Sequence, residues 1–412
     1  MAPRFSGKFL YSSISCVRKH DEILLFCYNS SYRKTVYERK LLEMIKKLAV
    51  LFKNDIVLLI SFCLALLSCL ITPPGPEYLG YLDFHTLILL FCLMLIVEGL
   101  REANFFPYIG NLLLSRTSSK RGLSLVLVFL CFVSSMFITN DVALITFVPF
   151  GILILEMAGM ESRICYLIVL MTIAANLGSM FTPVGNPQNL YLYSLTGLKL
   201  HEFLLLMLPF TALSAALLVL FALLGTERGS IRIQMENTSL TKKGTLLFLG
   251  LLFLFCMLSV AGILSDWILL ILIVIPLLIH QRTLYTRVDY SLLLTFIFFF
   301  IFVGNIDHFE QLRVFISSVL AHHERIISIL ASQVISNVPA AMLLSNYTAE
   351  VQELIIGTNL GGLGTLIASM ASLISYRQIS ARYPRQKGKY FVIFTICNVI
   401  FLLILYLVFR CF

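Results

Sequence analysis

Asn140 and Asn337 each stand in a short polar stretch that interrupts a long apolar run. The first stretch reads Ser135-Met-Phe-Ile-Thr-Asn-Asp-Val-Ala-Leu144, and the second Ser332-Gln-Val-Ile-Ser-Asn-Val-Pro-Ala-Ala341. Each is followed, in the same order, by a Gly-rich element: Ala174-Ala-Asn-Leu-Gly-Ser-Met-Phe-Thr-Pro-Val-Gly-Asn-Pro-Gln-Asn189 and Gly357-Thr-Asn-Leu-Gly-Gly-Leu-Gly-Thr-Leu-Ile-Ala-Ser369. Polar, Gly- and Pro-bearing backbone is costly at membrane depth unless it lines a cavity or a site. Its recurrence at matching points of two halves points to a secondary transporter built from internal repeats.

Helix ends leave backbone carbonyls and amides unpaired. Beside them, Ser135, Thr139 and Asn140 in the first half, and Ser332, Ser336 and Asn337 in the second, offer oxygens to a dehydrated Na⁺. Helix breaks expected at Asn176-Leu-Gly178 and Asn359-Leu-Gly361 add carbonyls where glycine permits close approach. That gives two candidate Na⁺ sets: Ser135, Thr139, Asn140 and Gly178, then Ser332, Ser336, Asn337 and Gly361. The positive N-terminal ends of the half-helices beyond the breaks favour an anion. Thr182, Asn186, Asn189 and Thr365 of the same motifs complete the candidate substrate and cation set, and Pro183 and Pro187 prevent a regular helix in the first break. The bland alternative is that these Ser, Thr and Asn side chains only bridge neighbouring membrane helices.

Asp141 is the sharpest single residue, because a carboxylate at membrane depth is a functional candidate by default. It would bind a cation, carry a coupling proton, or merely cap a helix arm. Its counterpart in the second half is Val338, so the two sites are not expected to be equivalent. Glu98 and Arg101, spaced i, i+3, read as a structural pair. His322-His323-Glu324-Arg325 lacks a metal-ligand spacing, and Trp267 reads as an interfacial anchor. No nucleotide-binding GxxxxGK[ST] and no nucleophile–base constellation is present, so the reading is not that of an enzyme and calls for no cofactor beyond a coupling Na⁺ or H⁺.

The elements that must position these residues are apolar helices. With 59% hydrophobic residues, the 412-residue chain reads as an all-α polytopic membrane protein of about nine to eleven transmembrane helices. Its net charge of +9 sits between spans, as cytoplasmic loops require, so a nucleic-acid partner is not expected. The ten cysteines show no CxxC pair and read as small apolar side chains. Residues 1–54, with 11 Lys and Arg, form a basic arm that is disordered or surface-lying, or that precedes a true start at Met44. Residues 55–224 and 244–412 make two transport repeats joined by a cytoplasmic linker, 225–243.

Charge fixes the expected sidedness. With a cytoplasmic N-terminus, sixteen Lys and Arg between spans fall inside, from Arg101 to Lys389, against Lys199, Arg313, Arg325 and Arg410 outside. The stretch 326–346 is too short for two spans, and as one span it would place the basic loop 377–389 outside. It reads as a re-entrant hairpin entering from outside. By likeness, 122–156 reads as a hairpin entering from inside, giving an inverted-topology repeat whose tips meet near the midplane.

Phe137-Ile-Thr-Asn-Asp-Val-Ala-Leu144 with Gly185-Asn-Pro-Gln-Asn189, and Ile335-Ser-Asn-Val-Pro-Ala-Ala341 with Gly357-Thr-Asn-Leu-Gly-Gly-Leu-Gly-Thr365, resemble the ion transporter superfamily over about residues 55–410. That group includes divalent anion/sodium symporters, citrate transporters, arsenite permeases and a class of sodium/proton antiporters; the nearest likeness is to YbiR-type bacterial inner-membrane permeases. In the dicarboxylate symporters each tip carries Ser-Asn-Thr, which binds sodium ions and substrate carboxylates. The matching triplets here are Thr139-Asn140-Asp141 and Ser336-Asn337-Val338, so both third positions depart from the pattern. The family's Thr-Pro-Pro-Asn appears as Asn186-Pro-Gln-Asn189 and as Ser369-Met-Ala-Ser372. The resemblance implies a homodimer with elevator-like displacement of each site.

The function expected is therefore a secondary active transporter in the bilayer of a bacterial inner membrane, moving a small carboxylate or inorganic oxyanion with Na⁺ or H⁺. The alternatives are a cation/proton antiporter or arsenite-type efflux permease, and, more remotely, a membrane scaffold without transport.

Overall fold

The computed structural model describes residues 55–115, 117–231 and 243–409; the basic arm and most of the linker lie outside them. The compact unit Ser61–Phe412 carries both polar tips and both Gly-rich motifs. Among the described residues there is no strand, only an isolated bridge between Ser119 and Ser230. The protein is an all-α polytopic membrane protein.

Six described helices are long and apolar enough to cross a membrane, or seven if one bent pair counts as a single span, and four shorter apolar helices accompany them. In chain order the longer helices begin with α1 (Ile56–Ser68), α2 (Phe84–Glu102), α3 (Phe105–Leu114), α4 (Lys120–Ser134) and α5 (Asn140–Met157). Then follow α6 (Ile164–Ser179), α7 (Pro187–Thr196) and α8 (Leu200–Leu224). The second half holds α9 (Lys243–Val260), α10 (Asp266–His280), α11 (Tyr290–Asp307), α12 (Glu310–Leu320) and α13 (Glu324–Ile335). It ends with α14 (Asn337–Ser345), α15 (Val351–Gly361), α16 (Met370–Arg382) and α17 (Lys387–Val408).

Each half folds a helix pair back on itself. Arg121, at the start of α4, donates to the Thr226 carbonyl at 3.1 Å, and Arg163, just past α5, pairs with the adjacent Glu227 at 2.8 Å. Both ends of α4–α5 are thus tied to one dipeptide. In the second half Thr348, after α14, donates to Glu324 at the start of α13 at 3.1 Å. The arms α13 and α14 have 12 and 9 residues. At 1.5 Å per residue these are roughly 18 and 14 Å long, well short of a 30 Å hydrocarbon core.

Packing repeats the same plan. α4 lies along α6 as α13 lies along α15, while α5 packs on α16 and α14 on α7, each across the halves. The spans expected at 163–197 and 353–376 are broken, as the Gly-rich motifs suggested, but the breaks fall later than Asn176–Gly178 and Asn359–Gly361. Helix α6 runs on to Ser179 and α15 to Gly361, so the irregular segments are 180–186 and 362–369. Glycine inside a membrane helix is tolerated where packing demands it; Pro183 and Gly364 (φ +111°) lie within the irregular segments that follow the helix ends. α3 and α12 were not anticipated. Both are short, and each precedes one of the folded-back pairs.

Arg287, Arg163, Arg382 and Arg101, which the charge count expects inside, pair with Glu102, Glu227, Glu156 and Glu98. Arg325, expected outside, pairs with Glu353, and His85 pairs with Asp266. The i, i+3 pairing of Glu98 with Arg101 is as expected, at 3.3 Å.

Candidate functional site

Four helix N-termini meet at the tips and breaks. Thr139 precedes α5, Ser336 precedes α14, Asn186 caps α7 by accepting from the Asn189 amide at 2.9 Å, and Ser369 precedes α16. Ser336 holds φ +73°, a left-handed conformation unusual for a side-chain-bearing residue, and by itself joins α13 to α14. In the first half the joint is longer, from Ser135 to Thr139.

A buried lattice of amides and hydroxyls ties these ends together, and it exchanges partners between the halves. Asn176, in the last turn of α6, accepts from Ser369 at 3.1 Å and donates to Ser372 at 3.3 Å. Asn359, in the last turn of α15, accepts from Asn186 at 3.1 Å and donates to Asn189 at 2.5 Å. Asn186 and Asn189 occupy the motif positions of Ser369 and Ser372, so each half's helix-end asparagine is held by the other half's cap residues in the same donor–acceptor sense. All six side chains are buried. Buried polar groups fully paired in this way specify one arrangement, because loss of any partner strands another.

The tips attach to the same lattice. Asn140 donates to Asn176 at 3.1 Å and its oxygen accepts the Asp141 amide at 3.0 Å. The Asn337 backbone amide donates to the Ala368 carbonyl at 3.0 Å, next to Ser369, and its side-chain oxygen accepts the Val338 amide at 3.0 Å. Asn140 and Asn337 thus reach one loop, 362–369, from two sides. Ser135 donates to the Phe132 carbonyl at 3.0 Å and Ser332 to the Ser328 carbonyl at 2.7 Å, leaving their oxygen lone pairs free to accept or to ligate. Gly178 lies so close to Ser135 that a Cβ would fall 2.5 Å from its hydroxyl; at Gly361 a Cβ would fall 2.7 Å from the Ser332 hydroxyl. Thr182 donates to the Met136 carbonyl at 2.5 Å and Thr365 to the Gln333 carbonyl at 3.1 Å, again as counterparts, though Thr365 is exposed.

Asp141 sits in the first turn of α5, one residue past Asn140, and is not the capping residue, a place Thr139 takes. One of its oxygens is sealed from solvent without a hydrogen-bond partner among the described residues. No Lys or Arg bonds to the lattice in any of these contacts. Ser369 and Ser372 were visible in sequence as the counterpart of Asn186-Pro-Gln-Asn189 but were not counted as site residues. Gln333 was missed entirely. Among the described residues no group of three His, Cys, Asp or Glu is placed to hold a metal ion, and His322-His323 instead lines a cavity of about 310 Å³ beside the Arg325–Glu353 pair.

Residues 41–353 match the family model described as "Citrate transporter". The chain is similar to an uncharacterized transporter of Methanocaldococcus jannaschii, 32% identical over 326 residues that cover 79% of this chain and 89% of that protein. It is similar to the inner membrane protein YbiR of Escherichia coli, 30% identical over 73% of this chain and 81% of that protein. A shorter likeness, 33% identical over 31% of this chain and 26% of the other, links it to a silicon efflux transporter of rice.

Proposed function

Because the chain belongs to the citrate transporter family, we propose that it is a secondary active transporter moving a small anion, a carboxylate or an inorganic oxyanion, with Na⁺ across an inner membrane. Membership makes it a transporter and not an enzyme. The observation that carries the anion is the meeting of four helix N-termini around an uncharged Asn/Ser lattice. Their positive dipole ends offer an anion several weak attractions in place of one fixed cation. Such a site releases its ligand more readily than a buried ion pair would.

The preceding helices end in carbonyls at the same place, which suits a coupling cation beside the anion. Ser135, Thr139, Asn140 and Gly178 supply hydroxyl, amide and carbonyl oxygens, the ligand type a hard cation takes. The substrate lies between the tips, contacted by Asn140 and Asn337 and framed by Asn186, Asn189 and Thr182.

The folded-back pairs are read as re-entrant hairpins from opposite faces. Support comes from α15–α16, which carries Glu353 in its first turn beside the open end of α13–α14 and ends at Arg382 paired with Glu156 near the open end of α4–α5. Exchange of partners between Asn176 and Asn359 supports an inverted repeat in the same way. The working form is read as a homodimer with a cytoplasmic N-terminus.

A second reading, a proton-coupled antiporter or efflux permease, is favoured by the sealed, unpartnered oxygen of Asp141. Asp141→Asn keeps the shape and removes the charge. In proteoliposomes the sodium reading expects uptake by this variant to keep the pH profile of the wild type. Loss of the pH dependence, with anion binding intact, would assign the coupling proton to Asp141.

A further inference from the structure

Phe137 and Ile138, the two tip residues that precede Thr139, line a cavity of about 390 Å³. Leu246, Gly250 and Phe253 form its wall on α9, with the rest of the lining coming from α2, α3, α4 and α5. Their spacing of i, i+4 and i+7 is one face of a helix. Gly250 leaves the middle of that face bare, since no atom lies within 4 Å of where its Cβ would be. Among the described residues of the lining, Ser134 supplies the one polar side chain. Val133 and Phe137 are exposed at the rim, as are Leu247 and Leu251 beside it on α9.

The walls are apolar helices, and α2 and α5 are long enough to cross a membrane. Protein interiors hold few voids larger than a water molecule, so a space of this size at membrane depth has an occupant. Water is a poor one, because a buried water takes about two to four polar partners and one hydroxyl offers fewer. An apolar cavity of about 150 Å³ holds benzene, so this one has room for roughly 15 carbons. The rim merges with exposed apolar side chains, and the apolar phase that covers such side chains in a membrane is lipid.

We propose that the cavity is a lipid subsite, filled by one acyl chain of a membrane phospholipid that enters beside Gly250 and packs against the first tip. Leu100, on the cavity wall, is followed by Arg101, whose half-exposed guanidinium bonds Glu98 through one nitrogen at 3.3 Å. A guanidinium carries five donors, so others remain for a lipid phosphate. The chain is then part of the packing of the tip, because Phe137 and Ile138 lead directly into Thr139 and Asn140. The subsite does not depend on which anion or coupling ion the tips take.

The test places the purified full chain in vesicles of phosphatidylethanolamine and phosphatidylglycerol that contain a phospholipid with a diazirine near the end of one acyl chain. Irradiation, digestion and mass spectrometry then locate the adducts. The wild type is expected to carry them on residues 133–138. In Gly250→Trp their yield there is expected to fall about tenfold or more, because a filled cavity leaves the chain no space. Leu251→Trp, outside the lining, is expected to label like the wild type. Gly250→Leu fills less, is expected to give an intermediate loss, and serves if the tryptophan variant folds poorly. Equal yields at 133–138 in the wild type and both Gly250 variants would show surrounding bilayer lipid only and overturn the proposal. No adduct at 133–138 in the wild type would overturn it too, and would give the cavity to a protein segment.

Discussion

Asn140→Ala and Asn337→Ala are each expected to weaken apparent substrate affinity about 10- to 100-fold, with folded protein still present in the membrane. Hydrogen bonds to charged groups contribute about 1.5–3 kcal/mol, and every 1.4 kcal/mol is tenfold. The loss at Asn140 is expected to be the larger. Its amide donates to Asn176, and its oxygen holds the first turn of α5 through the Asp141 amide. Asn337 instead attaches to the lattice through its backbone, which alanine keeps. Concentration-dependent uptake in proteoliposomes checks this, and wild-type transport by both variants would remove the site from the tips.

Gly178→Ala is expected to unfold the protein at a lower temperature, against the usual trend. In an exposed helix interior, alanine for glycine stabilises by about 1 kcal/mol. At Gly178 the new Cβ would overlap the backbone carbonyl of Phe132 and fall 2.5 Å from the Ser135 hydroxyl. A backbone oxygen cannot rotate away, so α4 must separate from α6, at about 1–3 kcal/mol or more. Gly357→Ala, one turn before the Gly361 counterpart in the second half, meets the Arg325 carbonyl at 2.6 Å and should behave alike. Gly250, in α9, has no atom within 4 Å of its would-be Cβ and serves as the control. There alanine should leave the melting temperature unchanged or raise it. Equal behaviour of Gly178→Ala and Gly250→Ala would mean that α4 does not lie against α6.

The tips were legible in the sequence because Asn140 and Asn337 stand in runs where polarity is costly, and their repetition multiplied the signal. Arg382 finds Glu156 and Arg325 finds Glu353 across large sequence distances, pairings that charge counting alone does not name. The place of the breaks was less legible. Asn-Leu-Gly reads as helix-breaking by propensity, yet buried packing of Gly178 on Ser135 and Gly361 on Ser332 keeps both segments helical to their ends. α12 escaped notice because Glu310–Leu320 is mixed in polarity, with Val314 and Phe315 exposed on a surface-lying turn of the chain. The partner exchange between Asn176 and Asn359 was not visible at all, because a motif alignment shows which positions correspond and not which half their side chains enter. Gln333 illustrates the same gap: beside Ser332 it reads as one more polar residue, and only the three carbonyls around its amide give it a role.

The most direct measurement is thermal stability of the purified protein across a panel of small carboxylates and inorganic oxyanions, each with Na⁺ or with choline. Reciprocity requires that if Na⁺ tightens an anion, the anion tightens Na⁺ by the same factor. The expected result is at least one anion that raises the melting temperature with Na⁺ and not with choline, an effect that Asn140→Ala abolishes. Stabilisation by no anion under either condition, or by an anion equally well in choline and in the Asn140→Ala variant, would contradict a sodium-coupled anion site at the two tips.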